Sequence, residues 1–227
     1  AGSGGLSVAA GAAQLGLKGV LFEKGEMGGD CLNYGCVPSK ALIASAEAAY
    51  KAAHSQALGV TASGVTVDFA TVMARVHHVI AEIAPIDSQE RFEGLGVQVV
   101  RETARFRDRR TVESDSVRVT ARKVVIASGS RAAVPPIPGL DASPYLTNER
   151  IFELTKLPEH LIVLGGGPIG VELGQAFRRL GSQVTIIEAA AILGREEPEA
   201  AAVVVQQLTA DGVTLLPGHK AVRVEAG

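Results

Sequence analysis

Cysteine is scarce in this sequence, and a concentrated charge of either sign is absent. The 227 residues hold two cysteines, so the chain lacks the dense disulfide framework of a small secreted domain. Its 22 basic and 24 acidic residues form no basic block that would indicate nucleic acid as a partner. The longest uncharged stretch, residues 1–17, is too short and too polar to cross a membrane. We therefore expect a globular protein of the cytoplasm, with neither nucleic acid nor membrane as a partner.

Two segments of the chain match when one is shifted by 165 residues. Among the identical pairs are Gly2 and Gly167, Gly5 and Gly170, Leu15 and Leu180, Gly16 and Gly181, and Glu23 and Glu188. Each copy has a glycine-rich turn, a helical run of small residues, a glycine, an apolar strand pattern and an acidic residue. This order predicts two copies of one strand–turn–helix–strand unit.

The second copy carries a complete G-x-G-x-x-G motif at Gly165, Gly167 and Gly170. A buried-strand pattern at 160–164 precedes the motif, and a helix is predicted over 168–180. The three glycines allow a tight turn, a close approach to a pyrophosphate and close packing of the helix on the strand. The phosphates then meet the donor-rich end of the helix. A strand predicted over 182–187 leads to Glu188, whose carboxylate can accept hydrogen bonds from ribose hydroxyls.

The first copy has the same parts at Gly2, Gly5 and Glu23. The counterparts of Gly165 and of the strand before it would fall ahead of Ala1, so we expect a strand ending in glycine to precede this residue. Two dinucleotide motifs imply two cofactors, or one cofactor and one nucleotide substrate.

The two cysteines, Cys31 and Cys36, follow the first copy directly in the segment GGDCLNYGCVPSK, residues 28–40. Pro38 suits the first turn of a helix, which puts Cys36 near a helix N-terminus that favours a thiolate. Lys40 adds positive charge one turn further on, and Gly35 lets the turn bring the sulfurs together. A redox-active pair is favoured over two inert core cysteines. No metal site is predicted, because two cysteines supply only half of a zinc tetrahedron.

The segment 28–40 resembles the redox motif of the pyridine nucleotide–disulfide oxidoreductases with a C-x4-C pair. Dihydrolipoyl dehydrogenase, mercuric reductase and glutathione reductase belong to this group. The resemblance continues through KVVIASGSR at 123–131, PPIPG at 135–139 and the second glycine motif, so it spans the whole chain. It implies an α/β fold with two Rossmann-like domains, both incomplete here: an FAD-binding domain over 1–142 and an NAD(P)-binding domain over 143–227.

In this family the first glycine motif binds FAD and the second binds NAD(H) or NADP(H). The resemblance assigns FAD contacts to Gly2, Gly5, Glu23, Gly29, Asp30, Lys40, Thr103, Ala104, Ser128 and Gly129. Asp30 stands where many members have threonine, and Glu102 stands where glycine is common. Nucleotide contacts are assigned to Gly165, Gly167, Gly170 and Glu188. NAD(H) is preferred over NADP(H), because Glu188 would repel a 2′-phosphate.

The catalytic residues implied by the resemblance are Cys31, Cys36, Lys40 and Glu172. Cys31 is then the thiol that exchanges with the substrate, and Cys36 is the thiol that lies against the flavin. Lys40 corresponds to the lysine beside the flavin N5, and Glu172 corresponds to its carboxylate partner. Electrons would pass from NADH through FAD and the cysteine pair to a small-molecule or protein-bound disulfide. Dihydrolipoyl dehydrogenases run this relay in reverse.

Further elements are predicted from local patterns. We expect a helical excursion over 41–96, with Asp68 capping one of its helices, and antiparallel strands over 97–122. A helix over 198–208 and a strand over 212–216 extend the second βαβ unit. Family members are about twice this length and carry an acid/base histidine and a dimer-forming domain in the remainder. The intact protein is thus expected to be a homodimer, and the present segment alone is expected to be inactive.

Two alternatives remain open at this point. The first is a metal-ion reductase of the mercuric reductase type. The second is a module that binds nucleotide without catalysis of its own.

Overall fold

A computed structural model describes residues 1–225, apart from the side chain of Ala57. Residues 226 and 227, the end of the predicted second domain, lie outside the described residues. The helices are α1 Ser3–Gln14, α2 Gly29–Asn33, α3 Cys36–Ala53, α4 Phe69–Ile83, α5 Gln89–Gly94, α6 Pro168–Leu180 and α7 Pro198–Ala210. The strands are β1 Val20–Phe22, β2 Gln98–Val100, β3 Arg105–Phe106, β4 Thr111–Glu113, β5 Arg118–Thr120, β6 His160–Leu164, β7 Gln183–Glu188 and β8 Thr214–Pro217. Short 3₁₀ helices cover Ser55–Leu58, Ala84–Asp87 and Ile151–Glu153.

The chain folds into two compact units, each made from two stretches of sequence. The first unit contains Ala1–Pro38 and His77–Arg131, and the second contains Ser39–Val76 and the chain from Ala132 onward. Helix α3 therefore begins in the first unit, and its residues from Ser39 on belong to the second. The division predicted between residues 142 and 143 stays a prediction.

The second unit contains a parallel sheet in the order β6–β7–β8. Helix α6 crosses from β6 to β7 and buries an apolar stripe that includes Leu173, Phe177 and Leu180. These positions recur every three to four residues, the period of a helix with one buried face. Burying a side chain such as Phe177 stabilises the unit by about 1.5–3 kcal/mol. Gly181, with φ at 119°, ends the helix in the left-handed region.

The local predictions for this unit agree closely with the structure. Helix α6 has the predicted bounds, and β6 covers the predicted 160–164. Strand β7 lies one residue later than predicted, α7 extends to Ala210, and β8 starts at Thr214 instead of residue 212. The glycines and prolines at the turns define these elements well, because they stop one element and start the next.

The first unit contains the parallel pair β1–β2 and a separate antiparallel sheet. Its core is formed by α1, α5 and the strands beside them. The buried residues of this core are Ala1, Leu6, Ala9, Phe92 and Val97. Phe92 is almost fully buried, so α5 anchors the start of β2 in the core.

The prediction of antiparallel strands over 97–122 is wrong for its first part. Strand β2 pairs parallel to β1, and only β3, β4 and β5 form an antiparallel sheet. The chain between β1 and β2 passes through helices, and such a crossover returns the next strand in the same direction. The proposed adenine-contact residues Thr103 and Ala104 lie between β2 and β3 and belong to neither strand.

The predicted helical excursion over 41–96 contains α3, α4 and α5, with non-helical chain over 60–68. Asp68 caps α4 as predicted, because its Oδ1 accepts a hydrogen bond from the Thr71 backbone nitrogen at 3.1 Å. Within residues 1–225, no helix is both long and apolar enough to span a bilayer.

Candidate functional site

The cysteine segment lies against the first glycine motif in the first unit. Cys31 is in the short helix α2, and Cys36 is the first residue of α3. The backbone of Gly2 forms a parallel bridge with that of Gly28. A Cβ on Gly29 would stand 2.5 Å from the Gly2 Cα, which only the absence of a side chain permits. The fold thus holds the cysteine segment next to the predicted FAD motif.

The turn between the cysteines is tight. A Cβ on Gly35 would lie 2.7 Å from the Asp30 Oδ2 and 3.3 Å from the Cys31 Cα. The Asn33 side chain donates hydrogen bonds to the Met27 and Gly29 carbonyls at 3.0 and 2.8 Å. Asn33 is a positioning residue that the sequence analysis missed, although an asparagine at a helix end is a common sign of such a bond.

Cys36 influences the protonation of Cys31. A hydrogen bond with Cys36 is the main cause that raises the pKa of the Cys31 thiol, with further contributions from burial and from the charges of Cys36 and Asp30. Cys31 and Cys36 are not joined by a disulfide in this structure.

The acidic residues that end the two repeats make matching hydrogen bonds. Glu188 accepts from the backbone nitrogens of Gly166 and Ala190, each at 2.8 Å. Glu23 accepts from the backbone nitrogen of Gly25 at 2.6 Å and from the nitrogen of Ala1. Shifted by 165 residues, Ala1 falls on Gly166 and Gly25 falls on Ala190. The repeat inferred from sequence therefore extends to individual hydrogen bonds.

These bonds keep both acids ionised. Hydrogen bonds from the Gly166 and Ala190 backbone lower the pKa of Glu188. Burial opposes ionisation of Glu23, but bonds from the Ala1 nitrogen and Gly25 leave the pKa of Glu23 below its ordinary value. A carboxylate that is ionised and fixed at a strand end is suited to accept bonds from ribose hydroxyls.

The helix starts that follow the glycine turns differ in the space around them. The N-caps of α1 and α6 are Gly2 and Gly167, which have no side chain to cover the first backbone nitrogens, and a Cβ on Gly2 would lie 3.6 Å from the Gly29 Cα. A Cβ on Gly167 would meet no atom within 4 Å, whereas one on Gly170 would stand 2.3 Å from the Gly165 carbonyl oxygen. The second motif therefore has one open and one tightly packed glycine, as the binding and packing roles require. The open Gly167 and the fixed Glu188 fit a dinucleotide at the second motif, and the first motif has the matching glycine N-cap and fixed acid at Gly2 and Glu23.

The predicted partners Lys40 and Glu172 meet in the second unit. The Lys40 Nζ lies 2.5 Å from the Glu172 Oε2, and the side chains are 59% and 44% exposed. Helices α3 and α6 thus contact each other through this pair. A half-exposed ion pair contributes only about 0–1 kcal/mol to stability, so this pair adds little to the folding of the unit.

Other predicted contact residues are more scattered. The segment containing Ser128 and Gly129 has no regular secondary structure, but the neighbouring Ala127 Cβ lies 3.8 Å from the position of a Cβ on Gly5. Glu102, which replaces a common glycine, accepts bonds from the Ser116 backbone and hydroxyl at 3.0 and 2.6 Å. Hydrogen bonds from Ser114 and Ser116 lower the pKa of Glu102 to about 2. Glu102 thus fixes the loop between β4 and β5.

A buried ionic network in the second unit was missed by the sequence analysis. The Asp211 carboxylate, 1% exposed, pairs with Arg179 at 2.7 Å, and Arg179 stacks on Tyr50. Burial raises the pKa of Asp211. Hydrogen bonds from Arg179, Gln207 and Gln175 lower this pKa by more, so the net effect is a decrease. These residues are far apart in sequence, and no local sequence motif predicts the contacts between them.

A sequence profile of one family covers the entire chain. The profile of the pyridine nucleotide-disulphide oxidoreductases matches residues 1–227. The chain belongs to this family. The resemblance first seen in the cysteine segment is thereby confirmed over the full sequence.

Relatives within the family carry two activity names. A mercuric reductase of Bacillus cereus is 36% identical over 227 residues, which is 99% of this chain and 36% of the relative. A dihydrolipoyl dehydrogenase of Geobacillus stearothermophilus is 38% identical over 222 residues, which is 95% of this chain and 47% of the relative. The chain spans half the length or less of these curated relatives.

A solved structure matches the fold over the whole chain. The Cu(II) complex of the HOCl-induced flavoprotein disulfide reductase RclA from Escherichia coli superposes with a TM-score of 0.83 at 28% identity. The match covers 100% of this chain and 49% of the RclA chain. The α/β fold with parallel sheets is thus that of half of a flavoprotein disulfide reductase.

Proposed function

We propose that this chain supplies the dinucleotide-binding and redox-cysteine part of an FAD-dependent oxidoreductase that exchanges electrons between NAD(H) and a disulfide or dithiol. The observation that carries the proposal is the position of Cys31 and Cys36 directly after Gly28, whose backbone forms a parallel bridge with Gly2 of the first glycine motif. Family membership and the paired glycine motifs support it.

The residues fit two cofactors in Rossmann-like domains. Gly2 and Glu23 would hold FAD at the start of α1, and Gly167 and Glu188 would hold NAD(H) at the start of α6. When bound, the nicotinamide and the flavin supply hydride transfer and pass two electrons to the cysteine disulfide.

The cysteines then carry out thiol–disulfide exchange. Two electrons and two protons convert the Cys31–Cys36 disulfide into two thiols. The Cys31 thiolate attacks one sulfur of the substrate disulfide, which forms a mixed disulfide and releases one substrate thiol. The Cys36 thiolate attacks the Cys31 sulfur, which releases the second substrate thiol and restores the disulfide. Each turnover thus reduces one substrate disulfide by two electrons.

Because the pKa of Cys31 is raised, its thiol must lose a proton before the exchange step. At neutral pH the Cys31 thiol holds its proton until a base removes it, since only the thiolate is nucleophilic. Disulfide exchange is therefore expected to accelerate as pH rises.

Lys40 and Glu172 have a supporting electrostatic role in the proposal. The Lys40 ammonium brings a positive charge to the position that the family resemblance gives to the flavin ring. Glu172 binds the ammonium and fixes its direction. A lysine without this partner would move freely, because its side chain is long and half-exposed.

The proposal favours NADH over NADPH. The Glu188 carboxylate is fixed by two backbone bonds and ionised, so it attracts ribose hydroxyls and repels a 2′-phosphate. We also propose that the full-length protein is a homodimer, as the family resemblance implies.

Turnover of a cyclic disulfide tests the proposal. The flavin-loaded full-length protein should oxidise NADH when lipoamide is added, and Cys36→Ser should remove this activity. A matched Ser45→Ala variant changes a hydroxyl further along α3 that bonds to the Ala41 carbonyl, and it should retain the activity. Undiminished lipoamide reduction by Cys36→Ser would sink the proposed relay.

A metal-ion reductase is the second candidate, because several relatives, including one from Streptomyces lividans at 37% identity, are named mercuric reductases. In that case the thiolates of Cys31 and Cys36 would bind Hg²⁺, a soft ion. NADH oxidation driven by Hg²⁺ and not by lipoamide would favour this candidate. If neither substrate is reduced while NADH still binds, the module without catalysis is the remaining alternative.

A further inference from the structure

The buried network around Arg179 joins three helices of the second unit, and the proposed mechanism does not use it. At the C-terminal end of α7, the Asp211 carboxylate accepts bonds from Arg179 Nε at 2.7 Å, Gln175 Nε2 at 2.8 Å and Gln207 Nε2 at 2.6 Å. Asp211 is 1% exposed and Arg179 is 16% exposed. A desolvated carboxylate with three donors holds its partners in one arrangement.

Arg179 makes a second contact, to α3. Its guanidinium carbon lies 4.1 Å from the centroid of the Tyr50 ring. The Tyr50 hydroxyl accepts a bond from Gln207 Nε2 at 3.3 Å, and its ring stacks on His54 at 4.1 Å. Arg179 therefore lies between a carboxylate fixed by α7 and an aromatic ring fixed on α3. A planar guanidinium suits both contacts, and a lysine ammonium does not.

The same two helices, α3 and α6, also carry Lys40 and Glu172. Tyr50 lies ten residues after Lys40, and Arg179 lies seven residues after Glu172, so α3 and α6 run in the same direction. The two contacts are separated by about 15 Å along α3 and about 10 Å along α6. Two attachments at this spacing fix both the sliding and the tilt of one helix on the other.

Between the two attachments the helices leave a cavity of about 250 Å³. Its lining includes Ile43, Ala46, Gln175 and Ala176. The contacts at the ends of this cavity join α3 directly to α6, and α4 also links them, because Arg75 donates to the Ala41 carbonyl at 3.0 Å and Phe69 packs on Phe177. Of the two, the Lys40–Glu172 pair is half-exposed, whereas the Arg179 contact is mostly buried. The buried contact is the one able to set the geometry.

We propose that Arg179 is a positioning residue: held by Asp211 against Tyr50, it aligns α3 with α6 and thereby places the Lys40–Glu172 pair for the redox reaction. This inference rests on the proposed function. It assigns a role to a residue that touches neither the cysteines nor the glycine turns by any bond given above.

Rapid-mixing kinetics of the flavin-loaded full-length protein test the inference. The rate of flavin reduction by NADH is measured per bound flavin for Arg179→Lys, which keeps the charge and loses the planar stack. We expect a decrease of about 10- to 100-fold, the range that a misplacement of about 1 Å produces. The NADH dissociation constant should change less than about twofold, because no nucleotide-binding residue is altered.

Two further variants separate positioning from general damage. Tyr50→Leu removes the same contact from α3 without leaving Asp211 unpaired, and it should slow reduction to a similar extent. Tyr50→Phe keeps the ring, and its flavin should be reduced at a rate close to that of the unmodified protein. The double variant Arg179→Lys/Tyr50→Leu should be no slower than either single variant, because both remove one shared contact.

The control is Arg178→Lys in the same turn of α6. Arg178 donates to the Gly212 and Ser182 carbonyls, and the bonds given for it do not reach α3. The inference is overturned if Arg179→Lys reduces flavin as fast as Arg178→Lys, or if Tyr50→Leu keeps the original rate. Failure of the proposed function would look different, since the unmodified protein would then show no NADH-driven flavin reduction or Cys36→Ser would keep disulfide turnover.

Discussion

Cys31 and Cys36 differ in their surroundings, although both belong to one turn. Cys31 is partly buried and Cys36 is exposed. The hydrogen bond with Cys36, burial and nearby negative charge all favour the neutral Cys31 thiol. The raised pKa of Cys31 opposes formation of its thiolate, which the exchange reaction requires.

The pH dependence of alkylation tests this difference. In the reduced protein, the reaction of iodoacetamide with the peptide that contains Cys31 should show a midpoint above the ordinary thiol pKa. Cys36→Ala should move the midpoint down, because it removes the main cause of the shift. Asp30→Asn should lower it by a smaller amount. A midpoint for Cys31 that does not respond to Cys36→Ala would contradict the proposed thiol contact.

The proposed preference for NADH over NADPH depends on one residue, Glu188. Glu188→Gln keeps a hydrogen-bonding side chain but removes the charge that would repel a 2′-phosphate. Bonds to charged groups contribute about 1.5–3 kcal/mol, so the ratio of kcat/KM for NADH to that for NADPH should fall by about 10- to 100-fold. Glu196→Gln, at an exposed acid on the following loop, should leave the ratio unchanged. An unchanged ratio in Glu188→Gln would show that selectivity lies elsewhere.

At the scale of elements, the sequence pattern predicted correctly those helices and strands whose bounds depend on neighbouring residues. The bounds of α6 follow from an apolar stripe between a glycine turn and Gly181, and the structure has the same bounds. The direction of β2 was predicted wrongly, because three-residue strands carry little pattern and their pairing depends on the intervening helices. The contact between Tyr50 and Arg179 had no local signal, because it joins helices that are distant in sequence.

Two glycines of one motif, Gly167 and Gly170, should respond oppositely to the same substitution. Gly170→Ala places a Cβ 2.3 Å from the Gly165 carbonyl oxygen, and overpacking of this kind costs about 1–3 kcal/mol. The melting temperature should fall by about 2–4 °C for each kcal/mol lost. Gly167→Ala meets no atom within 4 Å, so it should melt like the unmodified protein.

For nucleotide binding, Gly167→Ala should be the more damaging of the two variants, although it leaves thermal stability unchanged. Gly167→Ala puts a methyl group where the pyrophosphate must approach, and NADH affinity measured by calorimetry should fall by more than about tenfold. A stable Gly167→Ala variant that binds NADH normally would contradict the assignment of this turn.

At the scale of the whole molecule, bonded carboxylates make stability depend on pH. Glu102, Glu113, Asp68, Asp108, Glu188 and Asp211 all have a pKa lowered in the folded state. The stability that such groups supply is present above their unfolded pKa and is lost as pH falls through the folded pKa. Since the ordinary values are 3.8 to 4.5 and Glu102 titrates at about 2, the loss should occur mainly between these limits.

Thermal unfolding followed across pH checks this expectation. The melting temperature should vary little just above pH 5 and then decrease steadily toward pH 2, as the bonded carboxylates gain protons. Glu102→Gln should flatten the lowest part of the curve, and Glu196→Gln should leave its shape unchanged. A melting temperature that rises on acidification would have the wrong sign for these groups.

The central claim joins both cysteines to a bound flavin, and the visible spectrum of the flavin-loaded full-length protein tests it most directly. On anaerobic addition of a dithiol, we expect a new long-wavelength charge-transfer band from the Cys36 thiolate against the flavin. Cys31→Ser should show the band without any reductant, because Cys36 then has no disulfide partner, and Cys36→Ser should never show it. A bound flavin whose spectrum gains no such band, or a band that survives in Cys36→Ser, would contradict the relay through this pair.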